Sequence, residues 1–139
     1  MDYGKCSSPT KGSIVVVREN KSCFEVLNPS NKRITKIEVD GCLISERLEK
    51  CDWIISLEQP IKRAMYIELK GCGLDKAISQ LQSTLHHTRV KFNDYQKECY
   101  AVTTRVPKHG ASNRKKCIDF HKKTNVTLKI KNLKSTVTA

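Results

Sequence analysis

The chain has 139 residues, 38% of them apolar, and its 26 basic and 14 acidic side chains give a formal charge of +12. That length supports one domain with a real core and excludes two, and no apolar stretch approaches membrane-spanning length. The charge favours polyanions as partners, nucleic acid well ahead of an anionic membrane surface.

Residues 1–12 hold Gly, Ser, Pro and Lys and read as a loose arm. Ile14-Val15-Val16-Val17 and Cys23-Phe24-Glu25-Val26-Leu27 are β-rich runs, closed by the turn signal Asn28-Pro29-Ser30-Asn31. A strand is expected over Arg33–Val39, continuing through Gly41-Cys42-Leu43-Ile44, and a polar turn over Ser45–Lys50. Two apolar strands follow, Cys51-Asp52-Trp53-Ile54-Ile55 and Met65-Tyr66-Ile67-Glu68-Leu69-Lys70-Gly71, joined by a short connection containing Pro60.

After Gly71-Cys72-Gly73 the period changes. Leu74, Ala77, Ile78, Leu81 and Leu85 fall at helical spacing, predicting a helix of about three turns that ends at His86-His87-Thr88-Arg89. Tyr100–Val106 reads as a strand stopped by Pro107, residues 108–116 as a basic loop, Arg114–Lys123 as a short helix and Val126–Ile130 as a last strand. The fold class is mixed α/β: an antiparallel β-meander, a packing helix, then further strands, in a single domain over 1–139.

Seven cysteines (6, 23, 42, 51, 72, 99 and 117) make an odd count without a Cys-x-x-Cys motif. Cys42, Cys51 and Cys72 lie in or beside apolar runs, where a reduced thiol behaves as a small hydrophobe. With no apolar leader at Met1-Asp2-Tyr3-Gly4-Lys5, a cytoplasmic location is expected.

The candidate chemistry lies on the two apolar strands. Side chains alternate along a strand, so Glu68 and Lys70 share a face while Leu69 turns the other way. Pairing the strands brings Asp52 beside Glu68 and Lys70. Two carboxylates and an ammonium in strands too apolar to be half-solvated can hold a divalent metal and position a water for phosphodiester attack. A plain salt bridge from Lys70 to Glu68 or Asp52 is the alternative. The charge excess sits elsewhere. The basic C-terminal part, residues 105–139, carries ten basic residues against Asp119 alone, and Arg105, Lys108, Arg114, Lys115, Lys116, Lys122 and Lys123 are candidate phosphate contacts.

The order of Asp52 on one strand, a hairpin, Glu68-Leu69-Lys70 on the next and then the helix Asp75-Lys76-Ala77-Ile78-Ser79-Gln80-Leu81 resembles the PD-(D/E)XK nuclease superfamily. The likeness covers roughly residues 34–106. It implies a restriction-endonuclease-like core, also that of Holliday junction resolvases, in which Asp52, Glu68 and the Leu69 carbonyl bind Mg²⁺. Mn²⁺ substitutes for it, Lys70 serves the attacking water, and Gln80 lies near the metal or substrate. The chain departs from the pattern in two places. Cys51 stands where the motif has proline, and the upstream acid that many members carry on a helix has three candidates here, Glu19, Glu38 and Asp40, with Asp40 favoured.

The leading expectation is a metal-dependent nuclease acting on DNA. The alternatives are a catalytically inactive module of the same fold that binds nucleic acid or protein, and an inhibitor-type interaction protein. So small a chain has little room for a specificity domain, which points to structure-dependent cleavage, a homodimer or a targeting partner.

Overall fold

The structure is a computed structural model and describes residues 1–70, 73–104 and 110–139, apart from the Lys70 side chain. Two sheets enclose one core between them, and a second core lies between the larger sheet and the helices. The larger contains β1 (Ser7–Thr10), β4 (Ile34–Glu38), β5 (Trp53–Leu57), β6 (Arg63–Lys70), β7 (Gln96–Thr103) and β8 (Thr127–Asn132), side by side in that order. The smaller contains β2 (Ile14–Glu19), β3 (Ser22–Leu27) and β9 (Lys134–Thr138). The fold is therefore mixed α/β with both sheets of mixed sense. Strands β4, β5 and β6 form the expected antiparallel meander, while β6, β7 and β8 run parallel. The two parallel connections are made by the helices α2 (Leu74–His87) and α3 (Gly110–Thr124).

The composition of β6 explains how the layers stack. Ala64 and Tyr66 enter the core beneath the helices, whereas Met65, Ile67 and Leu69 enter the core beneath the small sheet. A central strand covered on both faces reads as a continuous apolar run, and a charge within it lies under a protein layer. On α2, Leu74, Ala77, Leu81, Thr84 and Leu85 are buried at helical spacing. Gly73 precedes that helix at φ 82, a left-handed conformation that suits glycine. On α3 only Phe120 is buried, so most of its surface faces solvent.

Five expectations are corrected. Residues 1–12 are not a loose arm: the Asp2 carboxylate caps the helical turn α1 (Tyr3–Cys6), and β1 pairs with β4. The strand over 33–39 does not continue to Ile44. Gly41 at φ 86 turns the chain, and Cys42 is joined to Cys6 in a disulfide instead of remaining a reduced thiol. The basic loop over 108–116 is helical from Gly110. Finally, β8 is followed by a strand with no periodic signal, β9, which leaves the large sheet to lie parallel to β3. Leu133, at φ 62, makes the crossing: its N–H donates to the Thr103 carbonyl in β7 and its carbonyl accepts from Cys23 N in β3. No helix among the described residues is long and apolar enough to cross a membrane.

One polar network ties the sheets together. Arg63 on β6 donates to both carboxylate oxygens of Glu98 on β7, at 2.8 and 2.9 Å, and to the Thr138 carbonyl on β9 at 2.8 Å. Tyr100 adds a third donor to Glu98 at 2.7 Å. Burial pushes the Glu98 carboxyl up, but the bonds from Arg63 and Tyr100 and the Arg63 charge outweigh it, so its pKa is lowered. A lowered folded value gives stability that is complete above the unfolded value of about 4.3 and is lost as pH falls through the folded one. Glu98→Ala is expected to cost on the order of 2 kcal/mol at neutral pH, because it strands a half-buried guanidinium. Urea unfolding at neutral and acidic pH checks this; a gap that does not narrow in acid counts against it.

Candidate active site

Asp52 is the residue just before β5, and the β5–β6 register, Trp53 opposite Ile67, sets it next to Glu68. Its backbone is held on both sides. Asp52 N donates to the Ile67 carbonyl at 3.1 Å, and its own carbonyl accepts from Val39 N at 3.1 Å and Asp40 N at 3.4 Å. Its carboxylate Oδ2 accepts from Leu69 N at 2.7 Å. The side chain is therefore aimed by the backbone of the neighbouring strand, and it is only 9% exposed.

Glu68 is 3% exposed and lies on the helix face of β6. With its amide oriented so that both ends are satisfied, Gln80 on α2 donates to Glu68 Oε2 at 2.9 Å and to the Lys76 carbonyl at 3.3 Å. The structure thus brings three of the expected residues, Asp52, Glu68 and Gln80, to one place, with the Leu69 backbone between the two acids. Lys70 is the last residue of β6; its side chain, like all of Arg105 and Lys108, lies outside the described residues.

A third acid reaches the cluster, and it is not Asp40. Asp40 lies near the Asp52 backbone, but its carboxylate turns to Lys50 at 4.0 Å, while Glu38 folds over Gly41. Glu19, the last residue of β2, comes within hydrogen-bonding reach of the Asp52 carboxyl. The pleat explains it: Val15 and Val17 point into the core between the sheets, and Glu19 is next on that face. Its nearness depends on one sheet lying over another, which no local pattern announces.

Crowding changes the chemistry of Asp52. Burial and the Glu19 carboxyl push its pKa up, bonds from Leu69 N and Glu68 oppose them, and the net position is about 6. Asp52 and Glu68 are both buried and adjacent, and the exposed Glu19 comes up to Asp52 from the small sheet; neighbouring carboxylates repel one another when ionised. A bound cation relieves that repulsion. Among the described residues, no three or more His, Cys, Asp or Glu side chains converge on a point suited to a metal ion. What the site offers is two buried carboxylates, hard oxygen donors of the kind that Mg²⁺ takes. That ion takes hard oxygen ligands from one or two carboxylates and completes its shell with water and phosphate.

The basic residues divide. Arg114, Lys115, Lys122 and Lys123 are exposed on α3, and Lys116 is half-buried in an ion pair with Asp75 in the first turn of α2. That pair sets the start of α3 against the helix that follows the site strand. Lys122 and Lys123 lie about 12 Å further along the helix axis, at the opposite end. Other polar candidates are engaged elsewhere: Tyr95 donates to Glu58 and Tyr100 is buried against Glu98. His86 and His87 close α2. Comparison with known protein families, with curated proteins and with solved structures returns no match.

Proposed function

We propose that the protein is a metal-dependent nuclease that hydrolyses phosphodiester bonds, most naturally of DNA. The observation that carries this reading is the pair of buried carboxylates, Asp52 and Glu68, on adjacent strands with a backbone amide between them. Buried carboxylates are costly, and a fold that keeps two side by side has a use for them. The meander, the helix α2 and the parallel strand after it support a restriction-endonuclease-like core.

In this reading Asp52, Glu68 and the Leu69 carbonyl would hold Mg²⁺, or Mn²⁺ in its place. The ion supplies charge for the phosphoryl oxygens and a more acidic water. The chain's own groups do the rest. Leu69 N fixes one Asp52 oxygen and so sets the direction in which the carboxylate points. Gln80 holds the Glu68 carboxylate in place from α2. Lys70 orients the attacking water, and Arg114 and Lys115, at the site end of α3, hold substrate phosphates. Lys116 acts mainly through Asp75.

The test is cleavage of duplex, single-stranded and branched DNA and of RNA, with Mg²⁺, with Mn²⁺ and with EDTA. Cutting that needs the metal supports the reading, and binding without cutting on every substrate overturns it. The second outcome favours an inactive module of the same architecture, for which the lack of three converging acidic ligands among the described residues speaks. Arg114→Ala with Lys115→Ala is expected to weaken binding about equally across sequences and to flatten the dependence of log Kd on log salt by about two. A titration of affinity against salt checks it.

A further inference from the structure

The small sheet carries an element that the nuclease reading does not use. Strands β2 and β3 are paired along their full length to Glu19–Ser22 and joined by Asn20 and Lys21 alone. Asn20 sits at φ 53, a left-handed conformation that asparagine tolerates and that two-residue hairpin turns require. The tip is therefore short and well supported.

Its position is set by three contacts. Glu19, on the inner face, reaches Asp52. Lys36 Nζ on β4 donates to the Val16 carbonyl at 3.2 Å and lies 5.1 Å from the ring centroid of Trp53, the residue after Asp52. The hairpin is thus pinned to the strand that begins at the candidate site. Arg18, on the outer face, and Lys21, in the turn, are exposed, and neither has an ion-pair partner among the described residues.

We propose that this hairpin tip is a nucleic-acid-binding element, with Lys21 and Arg18 bearing on backbone phosphates across the site from the start of α3. The inference rests on the nuclease reading for its location and gives the same site a second contact with its substrate. Asp52 and Glu68 side by side, with Glu19 reaching Asp52, make an acidic place that repels a phosphate. A phosphate chain is drawn across such a centre when cations flank it on both sides, and α3 supplies only one of them. A two-stranded ribbon also has the width to enter the major groove of a duplex, about 12 Å across.

The experiment measures binding of a fluorescent DNA duplex and its single strand in EDTA, so that affinity is read without cutting. Arg18→Ala with Lys21→Ala is expected to weaken duplex binding about tenfold at physiological salt and to reduce the salt slope by about two. Thermal unfolding should be unchanged, since both side chains are exposed. Arg18→Lys with Lys21→Arg, which keeps both charges, should restore binding. Unchanged affinity in the alanine variant overturns the inference, as does failure of the charge-preserving variant or a wild type that binds no nucleic acid. A wild type that binds through the hairpin but never cuts with Mg²⁺ sinks the nuclease reading and leaves the hairpin element standing.

Discussion

Asp52→Asn is expected to lower metal-dependent cleavage about a thousandfold or more and, in the same protein, to raise stability when metal is absent. The two effects have one cause. Asparagine has the size of aspartate and its carbonyl oxygen still accepts from Leu69 N, so the local fold has little reason to change. What is lost is a charge. Burial, with the Glu19 carboxyl adding to it, holds the Asp52 pKa at about 6. A carboxyl raised above its unfolded value of about 3.9 binds its proton more tightly when folded, so its ionisation works against the fold. Stability should then fall as pH rises from about 4 through 6, with a cost on the order of 2–3 kcal/mol at slightly alkaline pH. Melting both proteins in EDTA at about pH 4 and about pH 8 reads this directly. The asparagine variant should gain at the higher pH and match wild type at the lower. A stabilisation of the same size at both would mean that Asp52 is not the strained group, and full cleavage would remove it from the site.

The second large effect is covalent. Replacing Cys6 and Cys42 together by serine is expected to cost about 3–4 kcal/mol and to lower Tm by roughly 10 °C. The bond spans a sequence separation of 36, and cutting it restores that loop's freedom to the unfolded chain. The consequence is also local, because Cys42 lies in the turn whose amides, Val39 N and Asp40 N, hold the Asp52 carbonyl. Thermal unfolding of wild type with and without a strong dithiol reductant should reproduce the loss. Equal midpoints in the two conditions would show that the bond adds nothing.

What was legible in the sequence was what repeats locally. The apolar runs around Asp52 and Glu68 marked two strands covered on both faces, and the 3.6-residue spacing from Leu74 to Leu85 marked α2. The one-residue pleat also placed Asp52 beside Glu68 once the strands were paired. What could not be read depended on distant partners. Ser7–Thr10 is a strand only because β4 lies beside it, and Lys134–Thr138 only because β3 does. Gly41 looked like part of a strand because its neighbours are apolar, yet its positive φ ends the run. Among Glu19, Glu38 and Asp40 the local sequence favours Asp40, because only the small sheet lying over the large one brings Glu19 to Asp52. The positive balance of residues 105–139 was plain in the sequence, but its division between the two ends of α3 was not.

The pairing of β9 with β3 has a bearing on synthesis. The chain is made from its N-terminus, so the β2–β3 hairpin emerges early and must wait for residues 134–138 before its sheet is complete. An isolated two-stranded hairpin is at best marginally stable in water. Val15, Val17, Phe24 and Val26 are therefore without their full cover while more than a hundred residues are added, and Glu19 has no settled place beside Asp52. A nascent chain on the ribosome would carry Glu19 unplaced until β9 docked, so that the hydrolytic capacity proposed for it arises only after residues 134–138 have joined the small sheet.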